Sequence, residues 1–222
     1  MMVRVMKAMA GMASDGRSTL VPGPREDLCL GFANTLSWRG SAAPAEGLGD
    51  FAALLAWCKQ ARTVPPGLAR QLSAWSGEHR QMAAEVHADA IVLREAIYRA
   101  IGALADGKSP GGRDLALLSR AIEEAPARRR LVRAGRGCAW QIPAELVGRD
   151  GLPASRLLAP VLWSAADLLD GSTRTHVRRC ANAKCLWLFL DASKSGTRRW
   201  CDMASCGNRA KAQRHYLKSK AS

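Results

Sequence analysis

Four of the seven cysteines fall inside 27 residues, as Cys180-x4-Cys185 and Cys201-x4-Cys206 with 15 residues between the pairs. Each short pair lets one tight turn present two thiolates, and the gap is long enough to bring the chain back. This is the arithmetic of a tetrahedral four-thiolate zinc site. The odd cysteine total argues against a disulfide framework. His176 and His215 are alternative nitrogen donors that four thiols make unnecessary, and His215, among lysines and arginines, is expected on an exposed helix face. Cys29, Cys58 and Cys138 stand alone in apolar or strand-like surroundings and are expected to be small core hydrophobes.

The chemistry needs elements to hold it. Leu186 to Leu190 is a strand-like apolar run, Ala192 to Gly196 a turn, and Thr197 to Trp200 a return strand. Beyond Cys206, Gly207 would let the backbone approach a metal-bound sulfur and Asn208 would cap a helix running from Ala210 to Lys218. Cysteine pair, hairpin, cysteine pair and helix give a treble-clef-like outline. Along the apolar strand, Trp187 and Phe189 point one way, and Leu186, Leu188 and Leu190 the other. Both faces are apolar, so the module is expected to be docked rather than swinging on a linker.

The chain has 222 residues and a net charge of +14, from 33 Lys and Arg against 19 Asp and Glu. Residues 172–222 carry twelve of those cations and two acids, a net +10, so the excess belongs to the cysteine-rich end. A polyanionic partner follows. At 100° per residue Lys211, Arg214 and Lys218 lie within about 60° of one another on the last helix, and Arg198, Arg199 and Arg209 would extend that face. DNA is the partner such a zinc-supported helix would suit. Trp187, Phe189 and Trp200 leave room for an RNA partner through base stacking. The leucine face leaves room for a protein-interaction or oligomerisation module, including a homodimer. A merely solvated basic face is the bland alternative.

Upstream, the periodicity is helical. Phe51, Leu54, Leu55 and Cys58 form one face behind an Asp50 cap, and Pro65-Pro66-Gly67 ends that helix. Met82 to Leu104 marks a long helix stopping near Gly107. Leu115, Leu118 and Ile122 mark a shorter one, and Leu157 to Leu169 another that Pro160 starts or kinks. A small hairpin is expected across Ala134-Gly135-Arg136-Gly137. No catalytic constellation emerges: His79 and His87 are eight apart rather than four, and phosphate-loop and G-x-S-x-G patterns are missing from the sequence. The chain is therefore expected not to be an enzyme. Asn34 and Thr35 sit in an apolar stretch, where they either satisfy backbone groups or line a pocket for an unknown small-molecule effector. The first residues do not resemble a signal peptide and no segment of the sequence resembles a membrane span, so residues 1–24 are expected to be a loose leader, or the product of an upstream translation start, on a cytoplasmic protein with no membrane partner.

Two motifs also resemble known families. Asp191-x-Ser193, Arg198-Arg199-Trp200-Cys201 and Cys206-Gly207-Asn208-Arg209-x-Lys211 resemble the CGNR zinc finger found at the C-terminus of bacterial transcription regulators. Leu28 to Arg39 (LCLGFANTLSWR) is similar to the opening motif of the ABATE domain that usually precedes that finger, although the family commonly has Asp where this chain has Gly31. The resemblance implies a bound Zn2+, a DNA-binding role, and a stress or small-molecule signal sensed upstream. The expected fold is mainly α with small β-hairpins. Residues 25–171 would form a mostly helical domain, and residues 172–222 a four-cysteine zinc finger of hairpin and helix.

Overall fold

The computed structural model describes residues 20, 21, 25, 27–128, 130–143, 146, 147 and 151–220, excluding the side chains of 213–215, 217 and 218. It is mainly helical with small antiparallel sheets. Helix α1 (Leu28–Ala33) is followed by the strand pair β2 (Leu36–Ser37) and β3 (Ala45–Glu46). Then come α2 (Phe51–Gln60), α3 (Pro66–Glu78), α4 (Arg80–Ala105) and α5 (Gly112–Glu124). Strands β4 (Leu131–Ala134) and β5 (Gly137–Gln141) form a hairpin, joined on the β5 side by β1 (Leu20–Val21). Two consecutive helices, α6 (Ala154–Leu157) and α7 (Ala159–Asp170), complete the upstream part.

The 26-residue α4 is the organising element. Ala83, Val86, Ala90, Leu93, Ala96, Ile97, Ala100 and Ile101 form its buried stripe, and it packs against each of α1–α3 and α5–α7. The stripe is half alanine, which lets several helices approach one rod closely. Phe51, Leu54, Leu55 and Cys58 are buried on α2 as the periodicity predicts, and Asp50 caps that helix by accepting a hydrogen bond from the Ala53 amide. Gly135, at φ +60°, makes the β4–β5 turn, and Pro160 lies in the first turn of α7 rather than kinking it.

Four expectations need correction. Pro65-Pro66-Gly67 begins a helix rather than ending one: α2 already stops at Gln60, where Arg62 at φ +58° turns the chain, and Pro66 opens α3, its fixed φ suiting the first turn, where a missing amide costs nothing. Cys138 is exposed, because on β5 its side chain falls on the face opposite Ala139, which is buried. The loose leader does not extend through residue 24, since Leu20 and Val21 pair with Gln141 and Trp140 and Val21 is buried; residues 1–19 and 22–24 lie outside the described residues.

The fourth correction concerns the cysteine-rich end. After a short 3-10 turn (Ser172–His176), β6 (Val177–Arg179) pairs with β7 (Leu188–Leu190), with Val177 opposite Leu190 and Arg179 opposite Leu188. The predicted return strand Thr197 to Trp200 does not form. The hairpin partner instead precedes the first cysteine, so the Cys180–Cys185 turn is itself the hairpin loop. Val177-Arg178-Arg179 lacks an apolar run, and its burial comes from packing on α4, so pattern reading could not find it. A one-turn π-helix (Met203–Gly207) leads into α8 (Asn208–Lys220). Asp202, not Asn208, caps this unit, accepting hydrogen bonds from the amides of Ala204 and Ser205.

Candidate metal centre and its seat on the helical domain

Cys180 directly follows β6 and Cys185 lies just before β7, while Cys201 precedes and Cys206 lies within the π-turn. All four sulfurs lie within 4.8 Å of one another. Cys201 Sγ is 3.7 Å from Cys185 Sγ and 3.8 Å from Cys206 Sγ. A tetrahedral ion with metal–sulfur bonds of about 2.3 Å sets its sulfurs about 3.8 Å apart. The four donors therefore fit zinc in number, type and spacing.

Local backbone explains the convergence. Asn182 accepts at its carbonyl from the Cys185 and Leu186 amides and at its side chain from the Lys184 amide, closing the first turn. Its Nδ2 also donates to Cys206 Sγ at 3.5 Å, an outer hydrogen bond of the sort that orients metal ligands. Leu186, at φ +57°, completes the turn in the left-handed region. Asp191 ties the second half to the first. Its buried carboxylate accepts from the Ser193 hydroxyl and the Ser193 and Arg198 amides, and these bonds hold it below the usual carboxylate range. Gly207 is buried beside Met203 and Trp200: a Cβ there would stand 2.8 Å from Met203 Sδ and 3.4 Å from Trp200 Cδ1. Met203 is half exposed and its thioether can swing aside, so this packing alone does not demand glycine.

The thiols differ in how readily they ionise without a cation beside them. Burial pushes the Cys185 thiol up to about 12 and Cys201 upward as well. Burial also opposes ionisation of Cys206, but hydrogen bonds from Cys185, Cys180, Asn182 and Cys201 outweigh it and bring that thiol below its usual value. One thiolate is accommodated by its neighbours' protons, and a bound dication would offset the burial that opposes ionisation of Cys185 and Cys201.

The module is seated firmly on the helical domain. Val177 and Leu188 belong to the main core and Leu190 packs against it, whereas Phe189 sits with the cysteines. The alternation along β7 thus joins two cores. Trp187 and Trp200 are partly buried around the sulfur cluster. Asn34 grips the β7 backbone, its Nδ2 donating to the Leu188 carbonyl at 2.8 Å and its Oδ1 accepting from the Leu188 amide at 3.1 Å. Tyr98 donates to the Leu186 carbonyl, and Arg179 donates to Tyr98 Oη, to the Gly102 carbonyl and to the Asp106 carboxylate. Gly40 donates to the Lys184 carbonyl, and a Cβ on Gly40 would collide with the Ala183 carbonyl.

Asn34 and Thr35 thus part company. Asn34 serves the seat and also lines a cleft of about 580 Å³ between the two units, with Gly31, Trp187, Phe189, Arg198 and Cys201 among its other walls. Thr35 donates to the Phe32 carbonyl and accepts from Arg94, away from that cleft. Arg94, only 2% exposed, is paired with both Glu46 and Glu95, and Glu95 also takes Arg39 bidentately. Sequence reasoning missed this network, Gly40 and Trp38. Trp38, at φ +56°, packs on the cysteine cluster and carries the Arg209 guanidinium 4.5 Å above its ring. The only signal was the position of Trp38 and Arg39 at the end of the Leu28–Arg39 motif, with Gly40 just beyond it.

Of the predicted basic surface, Arg198, Arg199, Arg209 and Lys211 are exposed. Arg198 lies over Phe189 and donates to the carbonyls of Trp200 and Cys201, and Arg199 lies over Trp200. Arg214 and Lys218 lie on α8, their side chains outside the described residues. No described helix is long and apolar enough to cross a membrane.

Comparison with known families agrees with this division of labour. Residues 26–172 match the ABATE model, described as "Putative stress-induced transcription regulator", and residues 176–219 match the CGNR zinc finger. Neither description is of an enzyme. No curated protein matches the chain.

Proposed function

The chain belongs to the ABATE family and ends in a CGNR zinc finger, and from that premise we propose that it is a zinc-dependent DNA-binding transcription regulator. Cys180, Cys185, Cys201 and Cys206 hold the ion, which supplies the cross-link that orders the π-turn and the start of α8. The observation that carries the DNA reading is the finger's unbalanced charge. Both of its acids are spent internally, Asp191 on Ser193 and Arg198 and Asp202 on capping. Among the described residues, Arg179 is the finger cation with a carboxylate partner, and that partner lies upstream. Arg199, Arg209 and Lys211 therefore face solvent outside any ion pair among the described residues, Arg198 has only the nearby Asp202 charge, and Arg214 and Lys218 follow on the same helix. Cations in this state gain most from phosphates through counterion release.

The helical domain, in this reading, is the regulatory part. Its interdomain cleft, walled by Asn34, is the place for an effector, because a ligand there would touch both units. Regulation of this kind needs such differential contact.

The test is binding of the full chain to random duplex DNA, single-stranded DNA and structured RNA at two salt concentrations. Purified protein should hold one zinc per chain and bind duplex with a steep salt dependence. Lys211→Ala with Arg199→Ala should flatten the slope by about one unit per lost phosphate contact, and chelation should abolish binding. Preference for structured RNA would move the assignment to an RNA-associated zinc protein. Stable self-association without nucleic-acid binding would move it to an interaction module.

A further inference from the structure

Three of the four metal-site cysteines are sealed: Cys180 is 2% exposed, Cys185 4% and Cys206 2%. Cys201 is the partly exposed one, and it lines the cleft between finger and helical domain. We propose that Cys201 is an oxidation-sensitive ligand, reached through this cleft by a small peroxide, and that its oxidation opens the metal centre. This does not depend on what the finger binds.

Geometry supplies the resolving partners. Cys185 Sγ and Cys206 Sγ lie 3.7 and 3.8 Å from Cys201 Sγ. The Cys201 sulfur attacks hydrogen peroxide, the O–O bond breaks, and a sulfenate forms while the departing hydroxide takes a proton to become water. A neighbouring thiolate then attacks the sulfenic sulfur, forming the S–S bond and expelling the second oxygen, which leaves as water after protonation. In sum, two thiolates, one peroxide and two protons give one disulfide and two waters, and the two sulfurs together lose the two electrons that the peroxide gains. Arg198 in the cleft wall, anchored on the Trp200 and Cys201 carbonyls, provides fixed positive charge that favours departure of the hydroxide. Losing two of four donors leaves a site that no longer holds the dication.

Gly31 offers a control that leaves every ligand in place. It lines the same cleft, and a Cβ built on it meets nothing within 4 Å, so a larger side chain has room to enter. Cys29 and Cys58 are fully buried, while Cys138 is exposed and would react on its own account. The experiment is therefore done on zinc-loaded full-length Cys138→Ser protein. Substoichiometric iodoacetamide should label Cys201 ahead of the other three ligands. Hydrogen peroxide should release one zinc per chain, read with a chromogenic chelator, and peptide mapping should find Cys201 disulfide-linked to Cys185 or Cys206. Gly31→Phe should keep one zinc per chain and slow both reactions at least threefold. Labelling of Cys180, Cys185 or Cys206 ahead of Cys201, or zinc release through a disulfide lacking Cys201, would overturn the proposal. So would unchanged rates in a folded, zinc-loaded Gly31→Phe protein. If that variant fails to load zinc, the labelling order and the disulfide map decide alone.

Discussion

Asn34, at the end of the first helix, holds both backbone polar groups of Leu188, 154 residues later, in a two-point amide pairing of 2.8 and 3.1 Å. Leu188 lies on the strand that leads out of the first cysteine pair, and its side chain is 1% exposed in the main core. A side-chain amide thus does for β7 what a third strand would do, satisfying a buried peptide edge. The metal module and the helical domain fold against each other through it.

Asn34→Ala would leave the part-buried Leu188 amide and carbonyl without their side-chain partner. The expected cost is about 1–3 kcal/mol, visible as a lower urea midpoint at unchanged zinc content. An unchanged midpoint would mean that the Leu188 backbone finds solvent, and that the seat is looser than the hydrogen bonds imply.

Gly40 faces backbone rather than a yielding side chain: its substituted Cβ would lie 1.9 Å from the Ala183 carbonyl oxygen. Gly40→Ala must therefore push the Cys180–Cys185 turn away from the domain, at about 1–3 kcal/mol. Gly49→Ala is the matched control, since a Cβ there meets nothing within 4 Å. Limited proteolysis should release a finger-sized fragment from Gly40→Ala protein earlier than from the wild type, and not from the control. Equal release in all three would refute the close approach.

Glu95 connects this seat to acid stability. Burial works against its charge, but hydrogen bonds and attraction from Arg39 and then Arg94 hold its carboxyl below the usual glutamate range. A depressed carboxylate contributes stability that is fully present above the unfolded value, about 4.3, and is lost as pH falls through the lower folded value. Glu95→Gln should therefore be less stable than wild type at pH 7, with the difference closing below about pH 4. Helical circular dichroism against pH for the two proteins checks this, the variant serving as reference for the separate loss of metal in acid. A difference that persists at pH 3 would assign the effect to packing instead.

Much of the fold was legible where a pattern repeats locally. The faces of α2 and α4, the Asp50 cap and the Gly135 turn each depend on neighbours in sequence, so periodicity and turn chemistry found them. Helix α3 was hidden because Pro66 serves equally as a stop and as a start. The finger's hairpin was misplaced because Thr197 to Trp200 has a strand-like composition, whereas Val177 to Arg179 becomes a strand only when α4 covers Val177 and Arg179 reaches Tyr98 and Asp106.

By itself the sequence determined the metal chemistry and the location of the charge. Thiolate donors at close spacing and uncompensated cations are properties of residue type, and they survive any arrangement of the rest. Tertiary structure alone decided how the module sits: Asn34 on Leu188, Gly40 against Ala183, Arg94 buried between two glutamates, and Cys201 at the cleft while its three companions are sealed. These relationships join residues far apart in the chain, whose side chains acquire partners only when the two cores close on each other.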